Sequence, residues 1–117
     1  MIADLLPRNR FHAMYRIVWA FEVKPGNAQA FELAYGPEGD WVKLFRKAPG
    51  YSGTELLKDV DTTGRYLTID RWRSRDDFWK FREAFRAEYL ALDKRLATLT
   101  KRETLIGDFQ SNGGGTA

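Results

Sequence analysis

Few side chains in this sequence could do chemistry, and one of them stands apart. Asp70 sits in the run Arg65-Tyr66-Leu67-Thr68-Ile69-Asp70-Arg71-Trp72. Read as a β-strand, this run alternates its side chains, placing Asp70 beside Tyr66, Thr68 and Trp72 and sending Arg71 to the other face. A carboxylate among rings loses the water that favours its charged form, so its pKa rises towards neutrality and it becomes a candidate general base. A hydrogen bond or ion pair to a neighbouring element accounts for such an Asp equally well. Other catalytic groups are scarce. The chain has no cysteine, hence no disulfide, thiolate metal site or cysteine nucleophile. His12, the single histidine, lies near the N-terminus, which excludes a multi-histidine metal centre and leaves a serine triad without a rigidly held base. No metal site is expected.

The basic residues are gathered in one segment. Residues 71–102 hold ten Lys/Arg against five Asp/Glu, leaving nine against eleven elsewhere in a chain of net charge +3. Arg71, Arg73, Arg75, Arg82 and Arg86 could face an anion or a nucleic acid. Acids interrupt them throughout, however, which is the pattern of a solvated helix face. The exposed aromatic motif of RNA-binding sheets is also absent, so nucleic acid is not an expected partner.

The elements that must position Asp70 follow from periodicity. Tyr15 to Val23 alternates Tyr15, Ile17, Trp19, Phe21 and Val23 on one face and reads as a first strand. Asn27 is an expected N-cap for a helix over Ala28 to Tyr35, which Gly36-Pro37-Glu38-Gly39 interrupts before it resumes over Asp40 to Lys47. Strands follow over Tyr51 to Asp59, with Gly53 marking a bulge, and over Arg65 to Trp72. Ser74 and Asp77 form a capping box opening the longest helix, expected to run to about Leu96 with Phe78, Phe81, Phe85, Tyr89, Leu92 and Leu96 inward. Thr100 to Phe109 is the last strand. The domain therefore spans 15–109, between an N-terminal arm (1–14) and a glycine-rich tail (110–117).

This β-α-β-β-α-β order predicts an α+β, ferredoxin-like subunit: a four-stranded antiparallel sheet with two helices on one face. Its other face would carry Val18, Ala20, Leu67 and Ile69 bare, and soluble monomers rarely expose such a patch, so a homodimer through the sheet faces is expected. No apolar run is long enough to span a membrane, and Leu5-Leu6 runs straight into Pro7-Arg8-Asn9-Arg10, unlike a signal peptide. No membrane association is expected, and the expected compartment is the cytoplasm.

Several stretches carry a family resemblance: Phe21-Glu22-Val23-Lys24-Pro25-Gly26, Tyr35-Gly36-Pro37-Glu38-Gly39-Asp40-Trp41, Ala48-Pro49-Gly50-Tyr51, Thr68-Ile69-Asp70-Arg71-Trp72 and Leu92-Asp93. Together they resemble the antibiotic biosynthesis monooxygenase (ABM) domain of the dimeric α+β barrel superfamily, over about residues 15–109. The resemblance implies the sheet-to-sheet dimer and a pocket between helices and sheet bordered by Trp72. Strand parity then adds Asp70, Thr68 and Tyr66 to the pocket, with Phe78, Phe81 and Phe85 as the opposite wall and Trp19 joining from the first strand. Tyr35 and Trp41 flank the Gly36 to Gly39 element, a candidate lid. For any single ring, core packing is the simpler account.

Departures from the family's catalytic members narrow the activity. Where haem-degrading members carry an Asn on the first strand and a His on the second helix, this sequence has Trp19 and approximately Arg82, so haem degradation is not expected. Quinone-forming members have an Asn four residues before the strand-three Trp and a Tyr six residues after it; Thr68 and Phe78 stand there. The resemblance implies a cofactor-independent monooxygenase acting on an aromatic or polyketide-like molecule, needing no cofactor, with Asp70 as base. The alternative is a non-catalytic ligand-binding or structural dimeric barrel using the same interior.

Overall fold

The structure, a computed structural model, describes residues 14–112. The expected N-terminal arm, apart from Met14, and the last five residues of the expected tail lie outside the described residues. Four strands, β1 (Tyr15–Val23), β2 (Tyr51–Lys58), β3 (Arg65–Trp72) and β4 (Thr100–Gln110), form one antiparallel sheet in the order β2-β3-β1-β4. The central pair β1 and β3 is the most aromatic and β-branched, which suits strands packed on a half-buried pleated surface. Their register sets Tyr15 opposite Trp72, Ile17 opposite Asp70, Trp19 opposite Thr68 and Phe21 opposite Tyr66. These residues share the inner face, on which the helices pack.

One extra residue matters in β2. Between Tyr51 and Gly53 the register against β3 shifts, and Gly53 adopts φ +144°, a conformation that L side chains rarely reach. Past this bulge Thr54 lies opposite Asp70, so Tyr51 and Thr54, three residues apart, both turn inward.

Each expected helix is divided. The first comprises α1 (Ala28–Tyr35) and α2 (Asp40–Phe45), separated by the Gly-Pro element as the sequence predicts. Gly39 is required there by close approach, because a Cβ would collide with the carbonyl oxygens of Leu33 and Ala34. Asn27 makes no side-chain cap; its amide donates instead to the Leu99 carbonyl at 3.5 Å. The second comprises α3 (Arg75–Ala84) and α4 (Arg86–Leu96), and this corrects the expectation of one continuous helix. Phe85 leaves the helical basin (φ −113°, ψ 31°), although its N–H still reaches Phe81 O and its carbonyl still accepts from Tyr89 N–H. The result is a bend with no proline or glycine to announce it. Phe85 stacks on Phe81, and Tyr89 meets Trp41 edge-on at a centroid separation of 5.0 Å.

At the start of α3 only half of the capping box forms. Ser74 Oγ accepts the Asp77 N–H at 3.1 Å, but the Asp77 carboxylate turns to Arg73 in a bidentate pair at 2.6 and 3.1 Å. That guanidinium holds the Asp77 carboxyl below the usual carboxylate range.

Among the described residues no element covers the outer sheet face. Val18, Ala20, Leu67 and Ile69 are half-buried by their neighbours, while Leu57 and Phe109, which the register places on the same face, are exposed. No helix among the described residues is long and apolar enough to cross a membrane.

Candidate functional site

Between the inner sheet face and the helices lies a cavity of about 150 Å³. The sheet contributes Trp19 and Phe21 from β1, Thr54 from β2, Thr68 and Asp70 from β3, and Glu103 from β4. Across from them stand Tyr35 of α1, Trp41 and Phe45 of α2, and Tyr89 and Asp93 of α4. Asp70 is buried, Glu103 half-buried and Asp93 exposed, so the acidic groups run from the floor of the cavity to its mouth.

Asp70 is positioned by its cross-strand neighbours. Thr54 Oγ1 donates to Asp70 Oδ1 at 2.8 Å, and the Tyr51 hydroxyl lies 2.6 Å from Thr54 Oγ1. With the carboxylate ionised, the chain runs Tyr51 to Thr54 to Asp70, each hydroxyl donating onward. Oδ2 has no hydrogen-bond partner among the described residues and is free to act on a ligand. Burial dominates its titration: desolvation pushes the Asp70 carboxyl up to about 6, against the smaller opposing effects of the Thr54 hydrogen bond and the Arg71 charge. Arg71 itself turns to Glu55 on the outer side, 3.5 Å away, as strand parity requires.

The remaining ionisable groups of the wall respond to the same dryness. Burial raises the Tyr35 and Tyr89 hydroxyls, and it raises the Glu103 carboxyl despite a hydrogen bond from Thr100 Oγ1 at 3.0 Å. Among the described residues no Lys, Arg or His lines the cavity. Arg82 is not a lining residue, but its guanidinium lies over the Tyr89 ring, 4.2 Å from the centroid. Among the described residues no three His, Cys, Asp or Glu side chains converge closely enough to hold a metal ion.

Of the ten residues singled out from the sequence, Trp19, Tyr35, Trp41, Thr68 and Asp70 meet at this cavity. Five do not, and each has a packing reason. Trp72 is fully buried between Phe45, Tyr51, Phe78 and Phe81, with centroids 5.1 to 5.6 Å away, so the ring that was to border the pocket is core instead. Its indole N–H has no partner among the described residues. Phe78 and Phe81 belong to the same cluster, and Phe85 stacks on Phe81 at the helix bend. Tyr66 packs on Phe31 and ties its hydroxyl to Glu32 of α1. The opposite wall comes from one to two turns further along the bent helix, from Tyr89 and Asp93.

Sequence reasoning missed Thr54, Asp93 and Glu103. Glu103 could have been found as an acid at an inward position, since it pairs with Phe21. Thr54 depends on the Gly53 bulge, whose signal was present but whose effect on parity was not followed. The arginines of the basic segment are largely engaged: Arg73 pairs with Asp77, Arg75 with Asp108 and Arg71 with Glu55.

Comparison with known proteins agrees with this fold. The sequence profile described as "Antibiotic biosynthesis monooxygenase" matches residues 14–92. No curated protein matches the chain. Among solved structures, one assigned provisionally as an antibiotic biosynthesis monooxygenase from Bordetella bronchiseptica is 19% identical, with a TM-score of 0.67 over 86% of this chain and 98% of that one. SnoaB, a cofactor-independent oxygenase from Streptomyces nogalater, is 18% identical, with a TM-score of 0.65 over 90% of this chain and 99% of its own. A conserved protein from Methanosarcina mazei is 13% identical, with a TM-score of 0.67 over 88% and 97%. At these identities the structural likeness establishes the fold.

Proposed function

For a chain that belongs to the antibiotic biosynthesis monooxygenase family, we propose a cofactor-independent oxygenation in the cavity, with Asp70 as the base and a small electron-rich hydroxyarene as substrate. The observation that carries this reading is Asp70 itself: a desolvated carboxylate of pKa about 6 with one oxygen free, set among aromatic walls. At neutral pH it is mostly ionised yet more basic than an ordinary carboxylate.

The chemistry balances without a bound redox group. Asp70 Oδ2 takes the hydroxyl proton, and the resulting anion passes an electron to dioxygen. Superoxide and the substrate radical combine at a ring carbon as a hydroperoxide, whose O–O bond then breaks with loss of the ring hydrogen and formation of a carbonyl. One oxygen atom stays in the quinone product and the other leaves as water with the proton that Asp70 held. The substrate supplies all four electrons. Thr54 and Tyr51 keep the carboxylate aimed, and the aromatic walls limit water, which strengthens each polar contact inside.

Oxygen uptake with 1,4-dihydroxybenzene, a single ring that suits the cavity, tests the assignment. The expected product is the hydroxylated quinone with water, where simple autoxidation yields hydrogen peroxide. Asp70→Asn should lower the enzymatic rate by about a hundredfold or more; an unchanged rate removes Asp70 from the role of base. A non-catalytic binding module would bind the arene without oxygen uptake.

The proposed working unit is a homodimer through the outer sheet faces. What supports it is the apolar face formed by Val18, Ala20, Leu57, Leu67, Ile69 and Phe109, left uncovered by the described residues of one chain. Light scattering at micromolar concentration should return twice the chain mass, and a monomeric mass overturns the dimer.

A further inference from the structure

We infer that the cavity selects a single-ring organic cation, an aromatic amine in its ammonium form, over an anion of the same size. The inference rests on the proposed oxygenase reading and adds the substrate's charge class. Two independent properties of the cavity converge on it. Its walls are aromatic, with Trp19, Phe21, Tyr35, Trp41, Phe45 and Tyr89 around a space of about 150 Å³. Ring faces carry negative quadrupole potential and attract cations, most strongly where water is excluded. A cavity of about this size holds one benzene ring. Its ionisable lining is of one sign as well: Asp70, Glu103 and Asp93 rise from floor to mouth with no lysine, arginine or histidine among the described lining residues.

These carboxylates do not suit a metal ion, because no three acidic groups among the described residues converge on one point. Spread along the wall, they suit a cation with an organic body that reaches from floor to mouth. Arg82, which is not among the lining residues, shows that the Tyr89 ring accepts a cation, its guanidinium lying 4.2 Å from the ring centroid. An anionic ligand would instead meet carboxylates with no counter-charge.

The proposed reaction gives this selection a purpose. When Asp70 removes a proton, the substrate becomes an anion in a cavity to which the described lining residues offer no positive charge. An ammonium carried by the substrate itself supplies that charge, and Glu103 and Asp93 hold it while Asp70 acts on the hydroxyl. The favoured substrate is then a hydroxyarene bearing an amine.

Three probes of nearly equal size separate the possibilities: 2-phenylethylammonium, neutral 2-phenylethanol and phenylacetate, titrated at neutral pH into the full-length protein by calorimetry. The ammonium should bind at least about tenfold more tightly than the alcohol, and phenylacetate most weakly. In Glu103→Gln the ammonium-to-alcohol ratio should fall several-fold while alcohol binding, which reports an intact cavity, stays unchanged. Equal binding of ammonium and alcohol, or tighter binding of phenylacetate, overturns the inference and leaves the oxygenase reading standing. A preference that survives undiminished in both Glu103→Gln and Asp70→Asn also overturns it, because the carboxylates then do not select. No binding of any probe at millimolar concentration overturns the inference and the ligand-cavity reading together.

Discussion

Two regions of the interior lie side by side between the same sheet and the same helices, and both are built mainly of rings. Around Trp72 the rings close on one another: Phe45, Tyr51, Phe78 and Phe81 leave the indole fully buried. Around Asp70 a comparable set of rings leaves a cavity of about 150 Å³. The difference lies in what the second helical segment presents. Before the bend at Phe85, α3 sends Phe78 and Phe81 to the sheet; after it, α4 offers Tyr89 and Asp93, whose polar ends favour contact with water or a ligand over dense packing. Aromatic content therefore does not decide between core and pocket. The course of the backbone above the rings does.

The contrast can be broken most forcefully at Trp72. Trp72→Ala should cost about 3–5 kcal/mol of stability, the usual range for deleting a large buried ring, seen as a lower denaturant midpoint. A loss below about 1 kcal/mol would mean that this region is not the dense half of the interior.

Asp70→Asn should act in the opposite direction on stability while lowering turnover by about a hundredfold or more. The folded Asp70 keeps its proton up to about 6, whereas the unfolded group releases it near 3.8. Between these values the folded state holds more protons, so the native protein loses stability as pH rises, by about 3 kcal/mol in all from this group. The variant, which cannot ionise there, should match the native protein near pH 4 and exceed it by about that amount above pH 7. Denaturant titrations at the two pH values check this, and a difference that does not change with pH would mean that Asp70 is not desolvated.

Thr54→Val should be milder, costing about 1–2 kcal/mol through the lost hydrogen bond to a carboxylate. It should also raise the Asp70 pKa further, moving the acidic limb of the pH–rate profile upward; an unmoved limb would show that Thr54 does not tune the base. The smallest effect is expected for Tyr51→Phe, about 0.5–1.5 kcal/mol, with the profile shifted less than in Thr54→Val. A larger shift there would make Tyr51, not Thr54, the dominant partner.

How much was legible in the sequence follows from what periodicity measures. Alternation along Tyr15 to Val23 and Arg65 to Trp72 gave both central strands with their observed bounds and put Thr68, Asp70 and Trp19 on the inner face. It could not say where along that face the interior is filled, so Trp72 and Tyr66 were assigned to the pocket with Asp70. The helical stripe likewise identified inward residues without revealing the turn at Phe85, since a bend set by side-chain packing leaves no glycine or proline behind. Glu103 and Asp93 were missed because their place at the cavity depends on which elements meet across it, and that is a property of the assembled fold.

The bulge at Gly53 gives the site a dimension that a roster of side chains omits. Press that bulge flat and leave every lining residue as it is: strict alternation from Tyr51 would turn Thr54 to the opposite side of β2, and Asp70 would lose its only hydrogen-bond donor among the described residues. The chemistry is thus encoded partly in spacing, as a count of peptide units between Tyr51 and Thr54. In this fold replacing one glycine by a residue that its φ of +144° excludes is a mutation of the carboxylate across from it.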